Sequence, residues 1–199
     1  MKTAFLTIFT ALTLVTGIAN KTKAATANTG DQAYTVLTDV SAINKIEVRG
    51  NVELYVSDAS TDQVKVYNKY YSQSALVQSK NGVLRIASYS PEKLVVWVSA
   101  NDLRSISAFD NADVKSFGSL SKIEFDVDLH DNASARLNLD AFNASVTVKD
   151  NAKADLKGCA NELNLNRDIE SNVKSSNFNA AHYIENKMAV LSDNDVAGL

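Results

Sequence analysis

The side chains able to do chemistry are few and scattered. Asp126 and Asp128 sit in an alternating segment, with Arg136 and Lys149 downstream. A carboxylate pair and nearby cations are the groups from which polysaccharide chemistry could be built. Hydrolysis uses two carboxyl groups across a cleft, and elimination uses a base and a cation at a uronate. The same spacing arises on any solvent-facing strand, because residues i and i+2 share a face. Calcium would want further oxygens near Asp126, Asp128 and Asp131, but the aligned positions one repeat later are Ser145 and Thr147, and no Gly-rich calcium repeat occurs. His130 and His182 lie far apart and outside any metal-ligand motif. Cys159, the sole cysteine, excludes an intramolecular disulfide and reads as a small buried residue beside a turn at Gly158. No catalytic residue, metal or cofactor is assigned. Tyr67, Tyr70 and Tyr71 are the preferred contact residues, being flat and amphipathic. Trp97 is expected to pack in the core, within the apolar run Leu94–Val98.

What must position these residues is legible in a repeat. Asp-Asn-Ala recurs as Asp110-Asn111-Ala112, Asp131-Asn132-Ala133 and Asp150-Asn151-Ala152. A unit this short cannot bury its own apolar face, so neighbouring units must stack. Ala108, Val127, Val146, Leu165 and Ile184 are expected to form one inward ladder, with Phe125, Val127 and Leu129 inward on one pass and Glu124, Asp126, Asp128 and His130 outward. A second ladder is expected from Ala135 and Leu137 to Ala154 and Leu156. The fold class is therefore all-β, a solenoid with rungs of about 19–21 residues. Asn111, Asn132 and Asn151 are expected at stacked corners, the Asn supplying left-handed backbone and its amide bonding along the stack. Asp168-Ile169-Glu170 departs from the motif and predicts an irregular corner. Upstream, Ile46 to Val56 alternates around Gly50-Asn51, and Asn81-Gly82 predicts a tight turn.

Residues 1–24 read as a signal peptide, from Lys2 through an apolar run to the small-residue site Thr22-Lys23-Ala24. Residues 25–33 are expected as a flexible leader and residues 34–199 as a single domain. Cleavage removes Lys2, Lys21 and Lys23 and no acid, making the net charge more negative than −3. Nucleic acid is thus not an expected partner, and the mature chain shows no transmembrane segment.

The segment Ile46-Glu47-Val48-Arg49-Gly50-Asn51-Val52-Glu53-Leu54-Tyr55-Val56, followed by Asn81-Gly82-Val83-Leu84-Arg85-Ile86, resembles the opening of the head GIN domain family of autotransporter adhesins, exported proteins of Bacteroidetes. The resemblance runs through Ile184. It implies a right-handed β-helix-like fold and a periplasmic or cell-surface location, and it carries no catalytic residues. The expected function is a noncatalytic exported binding or structural protein, adhesin-like, whose partner is an envelope protein or glycan. The alternative is a polysaccharide hydrolase or lyase working on a β-helical surface.

Overall fold

A computed structural model describes residues 24–27, 34–37, 40, 42–67 and 71–188. The expected signal peptide falls outside them, except for its last residue, Ala24. The chain is all-β. The strands are β1 (Ala24–Ala27), β2 (Tyr34–Leu37), β3 (Lys45–Gly50), β4 (Val52–Asp58), β5 (Gln63–Val66), β6 (Ala75–Lys80), β7 (Val83–Ser88), β8 (Leu94–Ala100), β9 (Ser105–Ala108), β10 (Asp113–Ser116), β11 (Leu120–Leu129), β12 (Ser134–Val148), β13 (Lys153–Asp168) and β14 (Asn172–Met188). The only helical element among the described residues is one 3-10 turn at Tyr71–Gln73. Part of the expected leader is strand, since β1 runs antiparallel to β2.

Successive passes of the chain lie in parallel register. Leu84, Ile46, Ile106, Val127, Val146 and Leu165 are neighbours across six strands, and all are buried. Each aliphatic side chain covered in this way contributes about 1.5–3 kcal/mol. A second inward ladder runs Val96, Leu54, Val114, Ala135, Ala154 and Val173. The expected core of Val127, Val146 and Leu165 is therefore present, but both ends of the ladder need correction. Ile106, not Ala108, faces Val127, because Ala108 pairs with Leu129. At the far end a register shift between Asp155 and Lys157 puts Glu185, not Ile184, opposite Leu165.

The passes do not stack in chain order. β3 lies between β7 and β9, and β4 lies between β8 and β10. The first pass is thus enclosed by two later ones. Antiparallel strands finish this end, β6 on β7 and β5 on β8. Asn81 and Gly82 make the turn between β6 and β7 with φ of 50° and 79°, the positive pair that a two-residue hairpin needs. At the other end β14 pairs with β13 alone.

The Asp-Asn-Ala corners form as expected, with one exchange of roles. Asp110, Asp131 and Asp150, not their Asn neighbours, take the left-handed backbone, with φ of 60°, 58° and 54°. A short polar side chain tolerates that region. Each corner closes with an Ala amide donating three residues back, as from Ala133 to the His130 carbonyl at 3.0 Å. The aspartates also climb the stack. The Gly50 amide donates to Asp110 Oδ2 at 3.0 Å, that of Asp110 to Asp131 at 3.0 Å, that of Asp131 to Asp150 at 3.0 Å and that of Asp150 to Asp168 at 2.9 Å. Carboxylates succeed here because they accept charge-assisted bonds from amides that a parallel ladder leaves free at a bend. The last corner keeps the same closure, from the Ser171 amide to the Asp168 carbonyl at 3.2 Å, and the expected irregularity lies in its backbone, since none of Asp168, Ile169 and Glu170 takes positive φ.

Candidate functional site

Alternation along β4, β5, β8 and β10 places one set of side chains in the core and the other on the outer surface. Leu94, Val96 and Val98 are buried, while Trp97 between them is only partly covered. Trp97 thus points outward, contrary to the expected core position. In a strand apolar at every position, periodicity conceals which phase faces in.

Around Trp97 the outward phase of neighbouring strands is aromatic. Tyr55 is its direct cross-strand partner, and the two rings stack with centroids 4.7 Å apart and planes 19° apart. Phe117, which is exposed, meets Trp97 at 5.3 Å. Tyr67 approaches it at 6.5 Å, and Tyr34 extends the row with its centroid 5.4 Å from Tyr67. Five rings therefore form a continuous outer strip crossing β2, β5, β8, β4 and the end of β10.

The strip is bordered by charge. Lys65 lies 5.7 Å from the Tyr34 centroid and Lys115 5.3 Å from that of Tyr55, distances at which a cation is attracted to the ring face. Tyr55 Oη donates to Glu53 Oε1 at 2.7 Å. Lys115 bonds Glu53 and reaches Asp113 Oδ2 at 3.0 Å. The Lys115 ammonium, then the Tyr55 hydroxyl, hold Glu53 below the usual carboxylate range. The bond to Glu53 raises both Tyr55 and Lys115. For Asp113, burial pushes upward most strongly, but hydrogen bonds from Ser134 and Lys115 and the nearby Lys115 and Arg136 charges outweigh it, leaving a lowered pKa. The network is a fixed, ionised scaffold without a group poised to exchange a proton near neutrality.

Of the three contact tyrosines read from sequence, Tyr67 belongs to this strip. Tyr70 lies outside the described residues, and Tyr71 opens the 3-10 turn. Tyr34, Tyr55 and Phe117 are not among the expected contacts, and Trp97 is the residue expected in the core. The signal that could have found Tyr55 was its place beside Glu53 in the polar phase of an alternating strand; the uniformly apolar run around Trp97 held no such signal.

The other candidates do not converge. Asp126 and Asp128 precede the corner at Asp131 and stand beside Ser145 and Thr147. Arg136 follows that corner and pairs with Asp113 at 3.2 Å. Asp128 contacts His130 at 2.9 Å, and His130 stacks on Phe109 at 4.8 Å. Cys159 is exposed, not buried, because its neighbour Ala160 takes the inward position. Its thiol is raised, chiefly by a hydrogen bond to Asp140, which disfavours the nucleophilic thiolate. Among the described residues no three His, Cys, Asp or Glu side chains gather as a metal site would require, and no helix is long and apolar enough to cross a membrane.

Residues 42–189 match the family described as "Putative auto-transporter adhesin, head GIN domain". The fold is similar to a crystal structure titled a putative adhesin from Bacteroides fragilis NCTC 9343, with TM-score 0.71 and 15% identity over 81% of this chain and 78% of that one. A putative adhesin from Parabacteroides distasonis ATCC 8503 gives TM-score 0.59 and 16% identity, covering 80% of each chain. A protein from the same organism titled a putative lipid binding protein gives TM-score 0.57 and 11% identity, covering 79% of each. At these identities the likeness is one of fold. Comparison with curated proteins finds no match.

Proposed function

The chain belongs to the "Putative auto-transporter adhesin, head GIN domain" family, and on that premise we propose that it is a noncatalytic, adhesin-like binding protein, exported to the periplasm or cell surface. The observation that carries this reading is the aromatic strip. Tyr34, Tyr67, Trp97, Tyr55 and Phe117 keep ring surface at the outside of the sheet although the core ladders have ample aliphatic surface to bury. Flat rings on a rigid sheet bind at low entropic cost, because little must be ordered when the partner arrives. Sugars present C–H faces that suit such rings, so a glycan of the envelope or of a neighbouring surface is the favoured partner. Tyr70 and Tyr71 remain proposed contacts beside Tyr67.

We read the parallel passes as a right-handed β-helix-like solenoid, within a single domain over 34–199 that follows the signal peptide at 1–24. The parallel register at a nearly constant interval supports this, as does the strong preference of parallel crossovers for the right hand. The test is a glycan array probed with purified protein and with Trp97→Ala and Tyr55→Ala. Saturable binding without product release, weakened by either substitution while the β-sheet circular dichroism signal is kept, is the expected result. Turnover of a polysaccharide would remove the noncatalytic reading.

A further inference from the structure

The aromatic strip continues into a row of charged side chains in which cations outnumber acids. Across the parallel strands, Trp97 is followed by Tyr55, Lys115, Arg136, Asp155 and Lys174 in one outward column. The adjacent column carries Glu53, Asp113, Ser134, Lys153 and Asn172. Five strand spacings separate Trp97 from Lys174, roughly 24 Å along the stack. Ser134, Arg136, Lys153, Asp155, Asn172 and Lys174 line a shallow groove of about 400 Å³ at the far end of this path.

The cations differ in availability. Lys115 is held by Glu53 and Asp113, and Arg136 shares Asp113. Lys153 and Lys174 are exposed and form no ion pair with another described residue. The chain as a whole is acidic at −3, yet in this groove three cations, Arg136, Lys153 and Lys174, stand against one carboxylate, Asp155, while Glu124, Asp126 and the corner aspartates lie on the other side of the Asp131 corner. The molecule therefore presents a local positive field beside the rings, and such segregation raises the local concentration of an anionic ligand.

Resting on the binding reading above, we infer that the ligand is an acidic oligosaccharide lying across the strands, its sugar faces on Trp97 and Tyr55 and its carboxylates on Arg136, Lys153 and Lys174. The net acidity of the sequence argues against such a ligand only if charge is spread evenly, and the structure shows that it is not. Aromatic rings alone select no charge; the unpaired lysines supply the preference.

The experiment is titration calorimetry with an oligogalacturonate, a chondroitin sulfate fragment and a neutral cello-oligosaccharide, each at low and high salt, on the unaltered protein, Trp97→Ala and the double variant Lys153→Gln/Lys174→Gln. The acidic probes should bind more tightly than the neutral one, with affinity falling as salt rises. The double variant should lose at least about tenfold in affinity for the acidic probes, as expected for loss of one charge-assisted bond or more, and keep its affinity for the neutral one. Trp97→Ala should weaken all three. Preference for the sulfated over the carboxylated probe would assign sulfate as the recognised anion. Equal affinity for acidic and neutral probes, or a double variant that binds acidic probes undiminished, would overturn the charge inference and leave the aromatic reading standing. No saturable binding of any probe would overturn both.

Discussion

Replacing Val146 with Asp tests the stacked core at its centre. Val146 is wholly buried, with Val127 and Leu165 as its cross-strand neighbours. Neither neighbour offers a donor, so the new carboxyl would be strongly biased toward its neutral form. Burial of this kind raises a carboxyl pKa by about 3–5 units. At about 1.36 kcal/mol per unit, the roughly three units between the unfolded pKa near 4 and neutral pH cost the fold about 4 kcal/mol at pH 7. Lost aliphatic burial adds about 1.5–2 kcal/mol. The total rivals the whole stability of an ordinary domain, about 5–15 kcal/mol. Because the folded-state pKa is raised, the penalty grows as pH climbs above the unfolded value near 4 and shrinks below it. Thr147→Asp, one residue away and outward, places a carboxylate beside Asp128 and should cost only about 0.2–1 kcal/mol. Urea denaturation followed by circular dichroism at pH 7 and pH 4 measures both effects. Equal costs for the two variants, or a Val146→Asp penalty indifferent to pH, would refute the assigned register.

The aspartate ladder predicts that Asp131→Ala loses more than Asp131→Gly, since Ala forfeits the bond from the Asp110 amide and also strains a φ of 58°; the difference, about 1 kcal/mol, is readable from chemical denaturation midpoints. Gly50→Ala should be severely destabilising, because its Cβ would stand 2.1 Å from the Ser88 carbonyl oxygen, whereas Gly118→Ala meets nothing within 4 Å and bears only the backbone cost at φ 83°; thermal melts of the pair decide this. The lowered carboxyls of Glu53 and Asp113 contribute stability that is present above their ordinary pKa and lost as pH falls through the depressed folded values. Lys115→Met should therefore flatten the acid limb of the stability profile, measured by denaturation between pH 2 and 6.

Most of the fold was legible because a strict repeat writes its packing into the sequence. The step from Val127 to Val146 to Leu165 is uniform, and those residues do meet. The ladder's ends were illegible for physical reasons. The pass that supplies Ile106 is two residues longer, and a bulge at Asp155–Lys157 displaces the last strand. The insertion of β3 and β4 between later passes left no local trace, because pairing partners depend on which strand edges remain free. The corner assignment failed subtly: Asp and Asn both tolerate positive φ, and only the carboxylate-to-amide bonds decide that Asp takes it. The aromatic strip was hardest to see, as Tyr34, Tyr55, Tyr67, Trp97 and Phe117 come from five separate segments and become neighbours only through pairing.

The enclosure of β3 and β4 constrains how the molecule is made. Synthesis delivers residues 45–58 well before 105–116, so the partners β9 and β10 do not exist when the first pass emerges. One edge of β3 and one of β4 must wait, with backbone amides and carbonyls bonded only to water, while the β7 and β8 side assembles. Rungs downstream can be added one by one as the chain arrives, each on a template already complete. The nascent protein thus has a slow, non-local start and a fast, sequential finish, and its most vulnerable interval for mispairing with another chain falls between the appearance of Ala100 and that of Ser116. A holding factor or a delay in release would matter most there, far upstream of the repeats that make up the bulk of the stack.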